Sequence, residues 1–286
     1  MKPLFMWAGG KSKMIKNYAP FFKNFDVYLE PFFGGGAMLL QAVKINPNAH
    51  FVVNDINQNI IDIYQSIKND TEIFLSRLDK IESNYINLDK VDRKNFYYDL
   101  RNEYAYDYEK WNKTEESAVL YFLMKTGFNG IWQINKNTNN RFGTPCGLLN
   151  EKDSVYDREN VKKWSELLQK VKITSSDYKS VYEDVRENSW VFMDPPYRGS
   201  YTKYATSFED SNQKEVIDFS HEISKKKSTC WVSNRDLEDS FFENYLLEKN
   251  YKMSIHKFDV TYTAGRRKKS EEGFEAKKAK EVLIIS

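Results

Sequence analysis

Cysteine is nearly absent from this chain. Among its 286 residues only Cys146 and Cys230 occur, far apart and without Cys-x-x-Cys spacing. That excludes a disulfide framework and a cysteine-rich metal centre. Histidine is equally sparse: His50, His221 and His256 form no His-Glu-x-x-His or comparable pattern, so no catalytic metal is expected. No apolar run approaches the roughly twenty residues of a membrane span, and no secretory leader pattern precedes Trp7. An intracellular, cytoplasmic protein with no membrane partner is expected. An excess of one charge sign is also missing: 43 Lys and Arg against 41 Asp and Glu leave a net charge of +2. The overall charge therefore announces no nucleic-acid partner.

The residues present describe a soluble globular chain, 41% hydrophobic and 29% charged, long enough for one substantial core and a smaller appended unit. Basic charge gathers locally in Lys225-Lys226-Lys227, in Arg266-Arg267-Lys268-Lys269 and in Lys277-Lys278-Ala279-Lys280. Aromatic side chains make up 15%, with 19 Tyr and 19 Phe, a composition that permits stacking on planar bases.

Val27 to Glu30 reads as a strand ending at Pro31. Gly34-Gly35-Gly36 then forms a turn, and the apolar stretch Ala37 to Val43 a helix. Phe51-Val52-Val53 is a second strand, closing on Asn54-Asp55, and the two units begin a βαβ layout with a parallel sheet. From Gln58 to Met124 apolar residues recur at helical spacing, with Thr114 as an N-cap before Glu115 and Glu116. This stretch interrupts the α/β pattern as a separate helical unit. The Asn-, Gly- and Thr-rich segment Gly127 to Gly147 suggests a β-hairpin or ordered loop. Strands resume at Lys172–Thr174, Trp190–Met193, Cys230–Ser233 and Val282–Ile285, with a helix capped by Ser211 running to about Ser224. The fold class is α/β, discontinuous, with a helical insertion.

Three segments carry chemistry. The first is Trp7-Ala8-Gly9-Gly10-Lys11. Its Gly10-Lys11-Ser12 invites a phosphate-loop reading, but Phe5 stands where that motif needs its first glycine. The second is Glu30-Pro31-Phe32-Phe33-Gly34-Gly35-Gly36. Glycines after a strand let a ligand approach the backbone at the carboxyl edge of an open sheet. Asp55, nineteen residues beyond Gly36, stands where an acid accepts ribose hydroxyls. The dinucleotide pattern Gly-x-Gly-x-x-Gly is missing, because Leu39 holds its last place. That favours a nucleoside cofactor without a pyrophosphate and disfavours a nicotinamide dehydrogenase; a plain tight turn is the competing reading. The third segment, Asp194-Pro195-Pro196-Tyr197, follows an apolar strand. Two prolines hold φ and supply no N–H, leaving carbonyls free to accept. The lone pair of an aromatic amine is delocalised into its ring. A carboxylate and a carbonyl that accept both amine hydrogens favour a tetrahedral, nucleophilic nitrogen, and Tyr197 can stack on the base.

In these motifs and their order, the chain resembles the Dam-type family of DNA adenine-N6 methyltransferases. Asn54-Asp55-Ile56-Asn57, Phe128-Asn129-Gly130, Ser233-Asn234 after a strand, and the terminal Lys280 to Ile284 add to the likeness. The resemblance implies a Rossmann-like class I methyltransferase sheet, formed by residues 1–56 and 157–286. Residues 57–156 would be a mainly helical target-recognition domain whose β-hairpin enters the DNA major groove. It also implies a setting inside a bacterial or phage-infected cell. Its cofactor would be S-adenosylmethionine, leaving S-adenosylhomocysteine, and its substrate an adenine flipped from double-stranded DNA. The cofactor-binding residues implied are Trp7, Ala8, Gly9, Gly10, Lys11, Glu30, Pro31, Phe32, Gly34, Gly36, Asp55, Ile56, Asp177, Tyr178 and Asp194. Asp55 would take the ribose and Asp177 the adenine edge, while Asp194, Pro195, Pro196 and Tyr197 would act on the target amine.

Met6, Asn129, Gln133, Lys136, Arg141 and Pro145 are the expected DNA contacts, with Arg266, Arg267, Lys268 and Lys269 on phosphates. Relatives that read GATC carry Lys before the Trp-Ala-Gly-Gly-Lys segment and Arg three residues after the hairpin Asn-Gly. This chain has Met6 and Gln133 there. Gln suits adenine, and Met offers no hydrogen bond to guanine. A different or looser site than GATC is expected. Acceptor-Pro-Pro-aromatic loops serve planar amines generally, so RNA adenine and the cytosine amine are competing substrates. A DNA-binding protein with a dead catalytic fold would lack Asp194, Tyr197 or the glycine turn, and all are present.

Overall fold

The computed structural model describes residues 1–7, 9–147, 154–199, 208–262, 268–270, 273–275 and 277–286. Its strands are β1 (Val27–Glu30), β2 (His50–Asn54), β3 (Ile134–Asn135), β4 (Arg141–Phe142), β5 (Val171–Thr174), β6 (Ser189–Met193), β7 (Thr229–Asp236), β8 (Ser254–Tyr262), β9 (Lys268–Ser270), β10 (Gly273–Glu275) and β11 (Lys277–Ile285). The α-helices are α1 (Ile15–Tyr18), α2 (Ala37–Ile45), α3 (Gln58–Asn69), α4 (Thr71–Tyr85), α5 (Lys90–Tyr106), α6 (Lys113–Thr126), α7 (Arg158–Leu168), α8 (Asp210–Ser224) and α9 (Phe241–Lys249).

Seven strands form one sheet in the order β5-β2-β1-β6-β7-β11-β8. The run from β5 to β7 is parallel, and β11 pairs antiparallel with both β7 and β8. The parallel strands therefore all end at the same edge, where ligands of open α/β sheets bind. Side chains alternate across these strands, and each face has its own filling. Tyr28, Trp190, Phe192 and Trp231 belong to one buried cluster, whereas Leu29, Val191, Met193 and Val232 belong to the other.

The expected helical stretch is present as α3 to α6, but it has no core of its own. Phe74, Tyr85, Tyr97 and Phe122 join one continuous cluster with Phe51 and Trp190 of the sheet. The expected separation is one of sequence, not of packing. Between α6 and α7, β3 and β4 form the expected hairpin, Ile134 opposite Phe142 and Asn135 opposite Arg141.

Several local expectations are corrected. The N-cap of α6 is Asn112, not Thr114: Asn112 Oδ1 accepts from the Glu115 amide at 2.9 Å, and Glu115 Oε2 accepts from the Asn112 amide at 3.1 Å. This reciprocal box satisfies two end groups, whereas the Thr114 hydroxyl is drawn to Asp70 at 3.0 Å. Helix α8 begins at Asp210 with Glu209 as its cap, two residues ahead of the expected Ser211. Ser233 and Asn234 lie inside β7 rather than after it. The long strand β8 was not expected, since its Ser254-Ile255-His256-Lys257 start alternates too weakly to stand out. Its partner β11 runs five residues further toward the N-terminus than expected. β9 pairs antiparallel with β10, Lys268 opposite Glu275 and Ser270 opposite Gly273.

Gly36 has φ of +71°, and a Cβ there would lie 2.7 Å from Trp164 Cη2 and 3.0 Å from Phe33 Cζ. Both the left-handed backbone and the packed rings oppose a side chain. Gly36→Ala is expected to cost roughly 2–5 kcal/mol from strain and overpacking. A thermal midpoint unchanged from wild type in differential scanning calorimetry would contradict this account of the turn.

Candidate active site

The site assembles from loops at the carboxyl ends of β1, β2, β5 and β6. Asn54, fully buried at the end of β2, joins three of them. Its Nδ2 donates to Pro31 O at 3.2 Å and Ser176 O at 2.9 Å, and its Oδ1 accepts from Thr174 Oγ1, Ser176 N and Ser176 Oγ. One amide thereby fixes the spacing between the glycine turn, Asp55 and the loop of Asp177. In the sequence Asn54 stands out only as part of a motif, because nothing in its type distinguishes a loop-joining amide from an ordinary strand end.

At the glycine turn, φ is +47° at Gly34, whose amide donates to Asp55 Oδ2 at 2.9 Å. Asp55 Oδ1 accepts from the Asn57 amide at 2.9 Å. Each oxygen has one acceptor site left for a further donor. Burial raises the Asp55 pKa, and these two amides offset part of that rise. A Cβ at Gly34 would stand 2.7 Å from the Trp7 ring, so the first and second segments meet across a bare backbone. Ile56 is 69% exposed beside Asp55. Across the crevice Phe32 stacks on Tyr178, ring centres 5.2 Å apart, and the buried Tyr178 hydroxyl has no hydrogen-bond partner. Asp177 is exposed, with Oδ1 engaged by the Lys179 amide at 2.9 Å. These residues fit an adenosyl group: a carboxylate with spare acceptor sites, an apolar slot, an unpartnered hydroxyl and a turn too tight for side chains.

Glu30 is buried and accepts from Tyr28 Oη at 2.8 Å. Burial pushes its pKa well above the usual carboxylate range, and the charge of Asp194 adds to that. Pro31 contributes its carbonyl to Asn54.

The third segment is held by the first. Lys11, 3% exposed, places Nζ 2.7 Å from Asp194 Oδ2, 2.5 Å from Gly9 O and 4.8 Å from the centre of the Tyr197 ring. Gly9, at φ +81°, and Gly10, whose amide donates to Trp7 O at 3.0 Å, form the bend that turns Lys11 inward. Asp194 Oδ1 is buried with no hydrogen-bond partner. Burial raises the Asp194 pKa to about 6; Lys11 opposes that shift, while the charge of Glu281 adds to it. A buried acceptor without a donor is costly, and here it belongs to the loop expected to receive an amine. Tyr197 Oη lies 3.2 Å from Ser233 Oγ. No hydrogen bond falls on Pro195 O among the described residues.

On the hairpin side, Met6, Asn129, Gln133, Lys136 and Pro145 are all exposed. Met6 abuts the loop, since a Cβ at Gly130 would lie 2.7 Å from Met6 Cβ. Arg141 is turned inward instead. Its guanidinium pairs with Glu116 and lies over Tyr104 and Tyr108, 4.2 and 3.8 Å from their ring centres. That commitment clamps the hairpin to the helices and removes Arg141 from the exposed set. In the run Lys225 to Lys227, Lys225 and Lys227 make exposed surface pairs with Glu222 and Glu187, and Lys226 lies over the Tyr182 ring and donates to its carbonyl. Ala8, Arg266 and Arg267 lie outside the described residues, and Lys268 and Lys269 are described only as backbone of β9. Among the described residues, no three His, Cys, Asp or Glu side chains gather to hold a metal ion, and no helix is long and apolar enough to cross a membrane.

Comparison with known proteins matches residues 7–264 to the family model of the D12 class N6 adenine-specific DNA methyltransferases. The type II methyltransferase M.MjaIII of Methanocaldococcus jannaschii is 31% identical over 259 residues, covering 86% of this chain and 88% of that protein. The type II methyltransferase M1.LlaDCHI of Lactococcus lactis is 26% identical, over 94% of this chain and 92% of its own length. The retron Ec67 DNA adenine methylase of Escherichia coli is 24% identical, over 100% and 92%.

The Lys11–Asp194 pair yields a direct test. Because burial raises the Asp194 pKa and Lys11 holds it down, a carboxyl carbon NMR titration is expected to place its midpoint near pH 6. Lys11→Met removes the countercharge and should move that midpoint upward by about one unit or more. A midpoint unmoved or lowered in the variant would mean that the pair does not govern the carboxylate.

Proposed function

The chain belongs to the D12 class of N6 adenine-specific DNA methyltransferases, and within that class we propose how its own residues bind, orient and select. S-adenosylmethionine is the methyl donor, and when bound it supplies an electrophilic methyl on a sulfonium. Asp55 would receive its ribose hydroxyls, and Ile56, Phe32 and Tyr178 would flank its adenine ring. Asp177 would accept from the adenine amine. Trp7, Gly9, Gly10, Gly34 and Gly36 would form the narrow backbone wall beside the methionine portion, with Lys11 behind them and Asp194 at the reacting end.

The observation that carries the catalytic assignment is the buried Asp194 Oδ1, without a hydrogen-bond partner among the described residues, on the loop that also carries the Pro195 carbonyl. A target adenine turned out of duplex DNA would donate one amine hydrogen to each. Both bonds favour a nitrogen whose lone pair is free to attack. Lys11 keeps Asp194 ionised near neutral pH, and only the ionised form offers every lone pair as an acceptor. Tyr197 offers a ring face to the base.

Recognition is assigned to residues 57–156, and in particular to the exposed row of Asn129, Gln133, Lys136 and Pro145 with Met6 beside it. Met6 and Gln133 lack the cationic fork that reads guanine, which supports a target other than GATC. Lys268 and Lys269, with Arg266 and Arg267, would neutralise phosphates.

Expression in a methylation-free host, followed by direct sequencing of its DNA, tests this reading. N6-methyladenine is expected in a motif other than GATC, and Asp194→Ala should lower transfer by about 100-fold or more. Methylation confined to GATC would refute the assignment to Met6 and Gln133. An Ala variant as active as wild type would refute the mechanism, and transfer to RNA or cytosine alone would refute the substrate.

A further inference from the structure

The Asp194–Tyr197 loop has an anchoring problem built into its sequence. Pro195 and Pro196 have no N–H, so the loop cannot tie itself down through its own backbone donors at these positions. It offers carbonyls, and those must find donors elsewhere or remain open. Two of them, Pro195 O and Pro196 O, lie in succession, and a substrate amine could be received by either.

Two buried amides distinguish them. Gln213, 1% exposed in the first turn of α8, donates Nε2 to Pro196 O at 2.8 Å. Asn234, fully buried in β7, donates Nδ2 to Gln213 Oε1 at 2.8 Å. Asn234 Oδ1 in turn accepts from the Arg198 amide at 3.2 Å and the Arg235 amide at 2.8 Å. The orientation of both amides follows from this chain of contacts. Two backbone N–H groups require an oxygen at Asn234, so its nitrogen faces Gln213, and the Gln213 nitrogen is left to face Pro196.

The relay therefore grips the loop on both sides of Tyr197, at the carbonyl before it and the amide after it. Arg198 reinforces the grip from the same helix start. Its guanidinium binds Asp210 at 2.7 and 2.9 Å and Asp239 at 3.0 Å, and lies 3.8 Å from the centre of the Phe241 ring. Pro196 O accepts from Gln213, whereas no hydrogen bond falls on Pro195 O among the described residues.

We propose that Gln213 and Asn234 are positioning residues, which by occupying the Pro196 carbonyl and bracketing Tyr197 commit the acceptor amine to Pro195 O and Asp194 Oδ1. The inference rests on the assignment of this loop as the amine site. It adds two residues that touch neither the proposed cofactor pocket nor the proposed DNA face.

Gln213→Met preserves length and apolar packing but removes both the donor and the acceptor. At saturating S-adenosylmethionine and DNA, its single-turnover methylation rate should fall about tenfold, as expected for a misplaced near-attack geometry. Affinity for S-adenosylhomocysteine and for duplex DNA should stay within about threefold, because the relay contacts neither. Gln213→Glu adds a readout that a purely structural role would not move. Only its protonated carboxyl can donate to Pro196 O, so its rate relative to wild type should fall as pH rises from about 6 to 9, with no such trend for the Met variant.

A loss below about threefold in Gln213→Met overturns the proposal, as does a loss matched by weakened S-adenosylhomocysteine binding. A pH-independent ratio for Gln213→Glu overturns it too. If neither variant folds, as judged by thermal unfolding, the pair is structural and the positioning role is wrong. Wild type serves as the separate control: no transfer to DNA adenine by the unaltered protein would defeat the loop assignment itself, whatever the variants do.

Discussion

The buried ion pair between Lys11 and Asp194 ties the N-terminal bend to the end of β6. An ammonium and a carboxylate taken from water cost several kcal/mol each unless they meet in good geometry with further hydrogen bonds. Lys11 satisfies that condition with Asp194 Oδ2, the Gly9 carbonyl and the face of Tyr197. The consequences spread outward. Gly9 and Gly10 must bend for Lys11 to turn in, the bend lays Trp7 against the Gly34 turn, and Gly34 must lack a side chain to receive it. Asp194 is left with one oxygen neutralised and one open, an asymmetry that a carboxylate in water would not have.

The surrounding architecture divides its polar groups between holding and offering. Asn54, Gln213, Asn234 and Arg198 are buried and fully engaged in joining loops. Arg141 is held between Glu116 and two tyrosine rings, with its Nε unpartnered among the described residues. Among the described residues, the groups with unused capacity at this edge of the sheet include Asp194 Oδ1, the Tyr178 hydroxyl and the remaining lone pairs of Asp55. Other buried atoms without partners, such as Arg77 Nε, Trp190 Nε1 and Ser220 Oγ, lie away from it.

The helical block is bound to this arrangement by packing. A single hydrophobic cluster includes Tyr28 and Trp190 of the sheet and Tyr85 and Phe122 of the helices. Trp7 and Trp132, ring centres 6.2 Å apart, link the catalytic bend to the base of the hairpin. Met6, one residue before Trp7, thereby reaches the hairpin surface at Gly130. A single stretch of chain serves the chemical centre through Lys11 and the exposed face through Met6.

The sequence by itself determined the parallel strands, the glycine turn and the two acids at strand ends, because alternation, turn residues and proline leave signals within a few positions. β1 lies over Val27 to Glu30 as its residues indicate, and Asp55 and Asp194 sit one step beyond β2 and β6. It also carried the motif set that identifies the family. Tertiary structure alone decided which charges are spent and which are left. Arg141 reads as a candidate DNA contact until its partners Glu116, Tyr104 and Tyr108, brought from distant positions, are seen. Gln213 sits in an ordinary helix start and Asn234 in a strand, with no local pattern to set them apart, and they matter only because the fold brings them to the same proline carbonyl loop. The Asp194–Tyr197 segment was legible as a place for an aromatic amine. Which of its carbonyls stays open was not, since that depends on donors contributed by α8 and β7.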